Sequence, residues 1–118
     1  MDFTGYDHPL PPEIVETIRL IGRKWALVIL HELTHEPLGF GELKERIDGV
    51  SASVLSDLLN EFIEKEIIEK RIVSKNKSIY FITDFGGVLC SIITAISEWG
   101  SKLLSKQGNI SVEEISEV

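Results

Sequence analysis

Three groups of residues in this chain have types and spacings that could do chemistry. His31-Glu32-Leu33-Thr34-His35 fits H-E-x-x-H, which on a helix sets two imidazoles on one face for zinc and a glutamate as general base. Taken literally, that pattern predicts a metallopeptidase. A catalytic zinc needs a third protein ligand, and the metzincin continuation fails: Gly41 stands where the third histidine belongs and Gly39 lies one place late. His8 is the only other histidine, and 118 residues leave little material for a substrate cleft. The reading is therefore no enzyme, no catalytic residues, no metal and no cofactor. Both histidines are expected on the polar side of their helix, beside Glu32 and Glu36.

The second group is basic. Lys70, Arg71, Lys75 and Lys77 fall in or beside Glu69 to Ile82, and Ser74-Lys75-Asn76-Lys77 reads as a polar turn between two strands. A hairpin tip of this kind suits a phosphate backbone or the rim of a minor groove. The same lysines also serve to keep a hairpin soluble and to discourage edge-to-edge pairing. The third group, Ser51, Ala52, Ser53, Ser56, Asp57, Asn60 and Glu61, shares one side of a helical repeat and contains no cation. Arginine to guanine, the commonest specific base contact, is unavailable from it.

The elements that must hold these residues follow from periodicity. Ile14, Val15, Ile18 and Ile21 mark a first helix that closes at Gly22. Trp25, Val28, Ile29 and Leu33 repeat as the buried face of a second, stopped by Pro37. Phe40, Leu43 and Ile47 mark a short third helix, and Asp48-Gly49 supplies a turn. The fourth opens at Ser51 and turns Val54, Leu55, Leu58, Leu59, Phe62 and Ile63 inward. Ile72, Val73, Ile79, Tyr80, Phe81 and Ile82 read as the two strands. Thr83 or Asp84 is placed to cap a last helix to about Ser105, with Val88, Leu89, Ile92, Ile93, Ile96, Trp99 and Leu103 along one apolar face. Helix, helix, helix, hairpin is the order of a winged helix-turn-helix. The class is mainly α with a small β-hairpin, a winged helix-turn-helix extended by N- and C-terminal helices.

Residues 1–118 thus read as one winged-helix domain: an arm over 1–11, the core over 12–83, a dimerisation helix over 84–106 and a tail over 107–118. The arm holds Gly5, Pro9 and Pro11 and lacks an amphipathic pattern, while Ser111-Val112-Glu113-Glu114 in the tail fits a capping box. One cysteine rules out a disulfide within the chain, and no apolar run approaches the roughly 20 residues of a membrane span. A soluble protein of the reduced cytoplasm is expected. Cys90, among apolar neighbours, is expected to be inert packing. The formal charge of −7 is unevenly spread: residues 1–36 and 84–118 each carry −3, whereas 37–83 carry only −1. The excess acid lies outside the segment that would face a polyanion.

On these residues the sequence resembles the HxlR-type winged helix-turn-helix regulators, relatives of the MarR-type proteins, over about residues 12 to 103. The carriers are Leu20-Ile21-Gly22-Arg23-Lys24-Trp25 with Ile29-Leu30-His31-Glu32-Leu33, then Pro37-Leu38-Gly39-Phe40-Gly41-Glu42-Leu43. Ile47-Asp48-Gly49-Val50-Ser51, Val54-Leu55 with Leu58-Leu59, and Tyr80-Phe81-Ile82-Thr83-Asp84-Phe85-Gly86 complete them. The resemblance implies a DNA-binding transcriptional regulator, a homodimer with the fourth helix in the major groove and the wing on flanking backbone. Lys24, Ser51, Ala52, Ser53, Ser56, Arg71, Lys75 and Lys77 are then the DNA-binding candidates. Ile14, Ile18, Val88, Leu89, Ile92, Ile96, Trp99 and Leu103 are the dimer candidates. Some members sense oxidants through a cysteine just ahead of the first helix; here Pro11 occupies that place. The alternative to operator binding is a winged-helix dimer that uses the same exposed face for a protein partner.

Overall fold

Pro12 opens the first helix because its fixed φ suits the first helical turn and its missing N–H is not needed there. In the computed structural model, which describes residues 10–108, the order is α1 (Pro12–Ile21), α2 (Ala26–His35), α3 (Phe40–Arg46), α4 (Ala52–Glu64), β1 (Ile68–Ser74), β2 (Lys77–Ile82), α5 (Asp84–Gly87) and α6 (Cys90–Gln107). Most of the arm, His8, and the Ser111 to Glu114 capping box lie outside the described residues. Among the described residues no helix is long and apolar enough to cross a membrane.

The core is built on α2, α3 and α4. Leu55, Leu58, Leu59 and Phe62 of α4 are buried against Ile29, Leu30 and Leu33 of α2, Leu43 of α3, and Ile67 and Ile68 at the start of β1. Each side chain buried this fully contributes roughly 1.5–3 kcal/mol. Ser51 caps α4 by accepting from the Val54 amide at 3.1 Å, and Glu42 caps α3 by accepting from the Gly39 amide at 3.0 Å. Val54 and Val28, expected inward, are exposed. The cause at Val28 is Trp25, which stands outside the helix with φ 78°, so α2 begins at Ala26 and its buried stripe runs Ala26, Ile29, Leu30, Leu33. The indole is half-buried and packs toward Gly49, itself at φ +94°, where an added Cβ would sit 3.2 Å from the ring.

The wing pairs β1 and β2 antiparallel, Ile68 opposite Ile82 and Lys70 opposite Tyr80, with an irregularity between Ile72 and Ser74. The strands run further than the polar turn suggested, leaving Lys75 and Asn76 at the tip. Leu38 adds a bridge that was not foreseen. Its N–H donates to the Tyr80 carbonyl at 3.0 Å and its carbonyl accepts from the Tyr80 N–H at 2.7 Å.

The single C-terminal helix expected from Thr83 or Asp84 is instead two. Thr83 caps only the four residues of α5, its hydroxyl oxygen accepting from the Gly86 amide at 3.0 Å, and α6 begins at Cys90. Between them Leu89 N–H bonds to the Gly86 carbonyl and Ile92 N–H to the Leu89 carbonyl, the i to i+3 pattern of a tightened turn. Two adjacent glycines weaken helix formation there. Gly86 is also pinned by a close approach to β1. A Cβ on it would lie 2.1 Å from the Ile67 carbonyl oxygen, which is backbone held by the Thr83 amide and hydroxyl and cannot retreat.

Gly86→Ala should therefore cost about 2 kcal/mol or more, lowering the thermal midpoint by roughly 8 °C or more in a melt followed by circular dichroism. Gly87→Ala is the control. Nothing lies within 4 Å of its added Cβ, so it should leave the midpoint unchanged or raise it; equal losses at both positions would refute the clash.

Candidate nucleic-acid interface

Burial of one α4 face fixes what the other presents. Ser51, Ala52, Ser53, Asp57 and Asn60 are exposed and Ser56 is half-buried. The Ser51 hydroxyl oxygen is engaged by the Val54 amide, which leaves its proton free to donate outward. The first-turn N–H groups of this 13-residue helix add a partial positive charge at the same end.

The acids on this face are treated unequally. Glu61, half-buried, is hydrogen-bonded and ion-paired to Arg23 at the α1–α2 corner. Both side chains remain partly in solvent, so the pair adds little stability. Its consequence is electrostatic: one negative charge on the outward face is compensated, and Arg23 is committed to doing so. Among the described residues Asp57 has no such partner. Arg23 and Glu61 are 38 positions apart, so no local sequence signal could have joined them. Lys24, at the same corner, is exposed and holds its ammonium 5.0 Å from the Trp25 ring centroid.

On the wing Lys70, Arg71, Lys75 and Lys77 are all exposed, and among the described residues none of the four is in an ion pair. Arg71 lays its guanidinium over Phe81 at 4.7 Å and Lys70 lies over Tyr80 at 5.8 Å. Stacking restrains these side chains without neutralising them. Lys70, Asn76 and Lys77 also line an open groove of about 490 Å³ between the wing and the start of α3, faced by Phe40 and Glu42. The candidates thus form two groups, uncharged donors on α4 and free cations on the wing.

The candidates for pairing lie on the terminal helices. Neither α1 nor α6 contains a fully buried residue. Val88 is 70% exposed and Trp99 65%; Ile14, Ile96 and Leu103 are also exposed, and Ile18 and Ile92 are half-buried. Leu89 is partly spent on the core, against which it packs with Ile93.

The peptidase pattern is not assembled. The Glu32 carboxylate turns to Arg46 of α3 at 3.8 Å, and Glu36 meets the same guanidinium at 3.0 Å. Among the described residues no three His, Cys, Asp or Glu side chains converge as a metal site. Cys90, expected within apolar packing, is half-buried beside a recess shared with His31 and His35. The histidines are exposed, as expected, but they face α6 rather than standing with Glu32 and Glu36.

A family model described as HxlR-like helix-turn-helix matches residues 20–108. The HTH-type transcriptional regulator YodB of Bacillus subtilis (strain 168) is 27% identical over 105 residues, covering 87% of this chain and 94% of the relative. An HTH-type transcriptional regulator of Halalkalibacterium halodurans is 34% identical over 89 residues, 73% of this chain and 79% of the relative. Among solved structures, the reduced form of YodB superimposes with a TM-score of 0.71 at 27% identity, covering 80% of this chain and 94% of that one. A MarR-family regulator from Enterococcus faecalis V583 reaches 0.72 over 92% of this chain and 100% of that one; at 22% identity it speaks to the fold alone.

Because Lys75 and Lys77 make no ion pair among the described residues, replacing them should leave the fold untouched. Lys75→Ala with Lys77→Ala should change unfolding free energy by less than about 0.5 kcal/mol in urea titration. A loss well beyond that would assign these lysines a structural role.

Proposed function

The chain belongs to the HxlR-like helix-turn-helix family, and on that premise we propose that this transcriptional regulator binds double-stranded DNA as a homodimer, with α4 in the major groove and each wing on flanking backbone. The observation that carries the reading is a helix held by one face beside a wing whose cations make no ion pair among the described residues. A major groove about 12 Å wide admits an α-helix. Lys75 and Lys77 supply phosphate contacts from the tip, and Arg71, restrained on Phe81, offers a two-pronged donor to a phosphate oxygen pair.

At α4, Ser51 and the first-turn amides meet phosphate, Ser53 and Ser56 offer hydroxyls to base edges, and Ala52 offers a methyl to thymine. Lys24 adds a contact from the α1–α2 corner. With Glu61 neutralised by Arg23 but no arginine aimed at guanine, discrimination comes in good part from DNA shape and deformability. The regulator works in the cytoplasm, where its DNA lies, and needs no catalytic step or cofactor to do so.

Pairing uses the terminal helices. Ile14 and Ile18 of α1, with Val88, Leu89, Ile92, Ile96, Trp99 and Leu103 along and before α6, present more apolar surface than the described residues cover. A second copy of the same face is the simplest cover, and it sets two α4 helices and two wings on one side for a two-fold operator. Asp57, without an ion pair among the described residues, and the acidic flanks favour a second reading, in which the α4 face meets a protein partner.

Light scattering over a concentration series should give twice the chain mass, and Ile96→Glu with Trp99→Glu should return it to one. Both positions are exposed, so the variant should keep its helical spectrum; a monomer at every concentration in the parent chain would refute pairing.

DNA binding is tested by a salt series. Each dimer presents Arg71, Lys75 and Lys77 twice, and about four of these side chains at phosphates give a slope near −3.6 in log affinity against log salt. Lys75→Ala with Lys77→Ala removes about two to four of those contacts and should flatten the slope by about 1.8 to 3.6 units, weakening all sequences alike. Ser53→Ala or Ser56→Ala should leave the slope in place and change operator discrimination by about 1 kcal/mol. A slope unmoved by the lysine changes would remove the wing from the mechanism. Absence of binding to any duplex at about 50 mM salt would favour the protein-partner reading.

A further inference from the structure

The histidine pair of α2 takes no part in the proposed DNA contacts, yet its setting is more ordered than that of two solvated side chains. His31 and His35 are one helical turn apart on the same face, their ring centroids 4.7 Å from each other and their planes at 71°. The Nδ1 of His35 lies 2.9 Å from the His31 backbone carbonyl oxygen. A carbonyl only accepts, so Nδ1 is the donor in this contact, and in the neutral imidazole Nε2 is then the nitrogen that offers a lone pair. This is the support that metal-bound imidazoles commonly receive from a backbone carbonyl. The Thr34 hydroxyl donates to the same carbonyl at 2.6 Å, bracing the turn from which His35 projects.

Both rings border a recess of about 330 Å³ between α2 and α6, whose other side carries Cys90, Thr94, Ser97 and Glu98. The Glu98 carboxylate on that side adds negative potential opposite the two imidazoles, a setting suited to a cation. It is poorly suited to an anion. Arg46 holds Glu32 and Glu36 on the other flank of α2, keeping the peptidase glutamate away from the pair.

We propose that His31 and His35 chelate a divalent late first-row transition-metal ion at the mouth of the α2–α6 recess. The two imidazole nitrogens are the protein ligands and water completes the coordination, since no third ligating side chain is in place among the described residues. Affinity follows the usual order for imidazole sites, with Cu²⁺ ahead of Ni²⁺ and Zn²⁺. This is a binding site without a hydrolytic role, and it stands independently of DNA binding.

The test uses the full, tag-free chain stripped with chelator and titrated calorimetrically with nickel chloride and zinc chloride. One ion per chain is expected. His31→Ala and His35→Ala should each weaken binding by at least about tenfold, the smallest loss that removing even an outer-shell partner of a metal site brings. His8→Ala should not. Electron paramagnetic resonance of the Cu²⁺-loaded chain should show two coordinated imidazole nitrogens, and circular dichroism should confirm that each variant stays folded. Affinity unchanged in both α2 variants, dependence on His8 alone, or a Cu²⁺ spectrum with fewer than two nitrogen ligands would each overturn the proposal.

Discussion

The wing depends on the pair of backbone hydrogen bonds between Leu38 and Tyr80. A two-stranded hairpin is marginal in water by itself, and this one exposes nearly all of β1. What makes it a fixed arm is that Tyr80 is buried and bridged to Leu38, which is itself in the core, while Ile67 and Ile68 root the start of β1 beneath α4. Pro37 contributes from outside the bridge. It holds Glu36 in extended backbone, at φ −165° and ψ 157°, so the chain leaves α2 in the conformation a strand pairing requires. The cations beyond this anchor are then displayed by geometry rather than by chance.

A second junction couples the wing to the C-terminal helices. Thr83 gives its hydroxyl proton to the Glu66 and Ile67 carbonyl region at 2.7 and 3.0 Å and accepts from Gly86. Glu66 at φ 61° turns the chain out of α4 and into β1. Gly86 lies against that same turn, so α4, β1 and α5 meet at one hydrogen-bonded point.

The electrostatics of α4 and of the wing differ. On α4 the negative charge of Glu61 is compensated by Arg23, and the remaining groups are small and uncharged apart from Asp57. On the wing the positive charge is in no ion pair among the described residues, and Arg71 and Lys70 are restrained by aromatic faces.

Periodicity placed α1, α3 and α4, because a surface helix must repeat its apolar residues at 3.6 to bury one side, while both strands were legible as short β-branched and aromatic runs about a polar turn. The caps at Ser51 and Thr83 and the turn at Gly49 were equally legible, since each rests on a local residue type. Also readable from charge order was the contrast between a cation-free fourth helix and a basic wing. Tertiary structure decided what depends on distant partners. The left-handed corner at Trp25 shifts the buried stripe of α2, and the approach of Gly86 to Ile67 divides the last helix in two. Arg23 finds Glu61, Leu38 finds Tyr80, and the recess facing His31 and His35 is supplied by α6. Each joins residues far apart in the chain, and spacing within a segment carries no information about which segment will lie opposite.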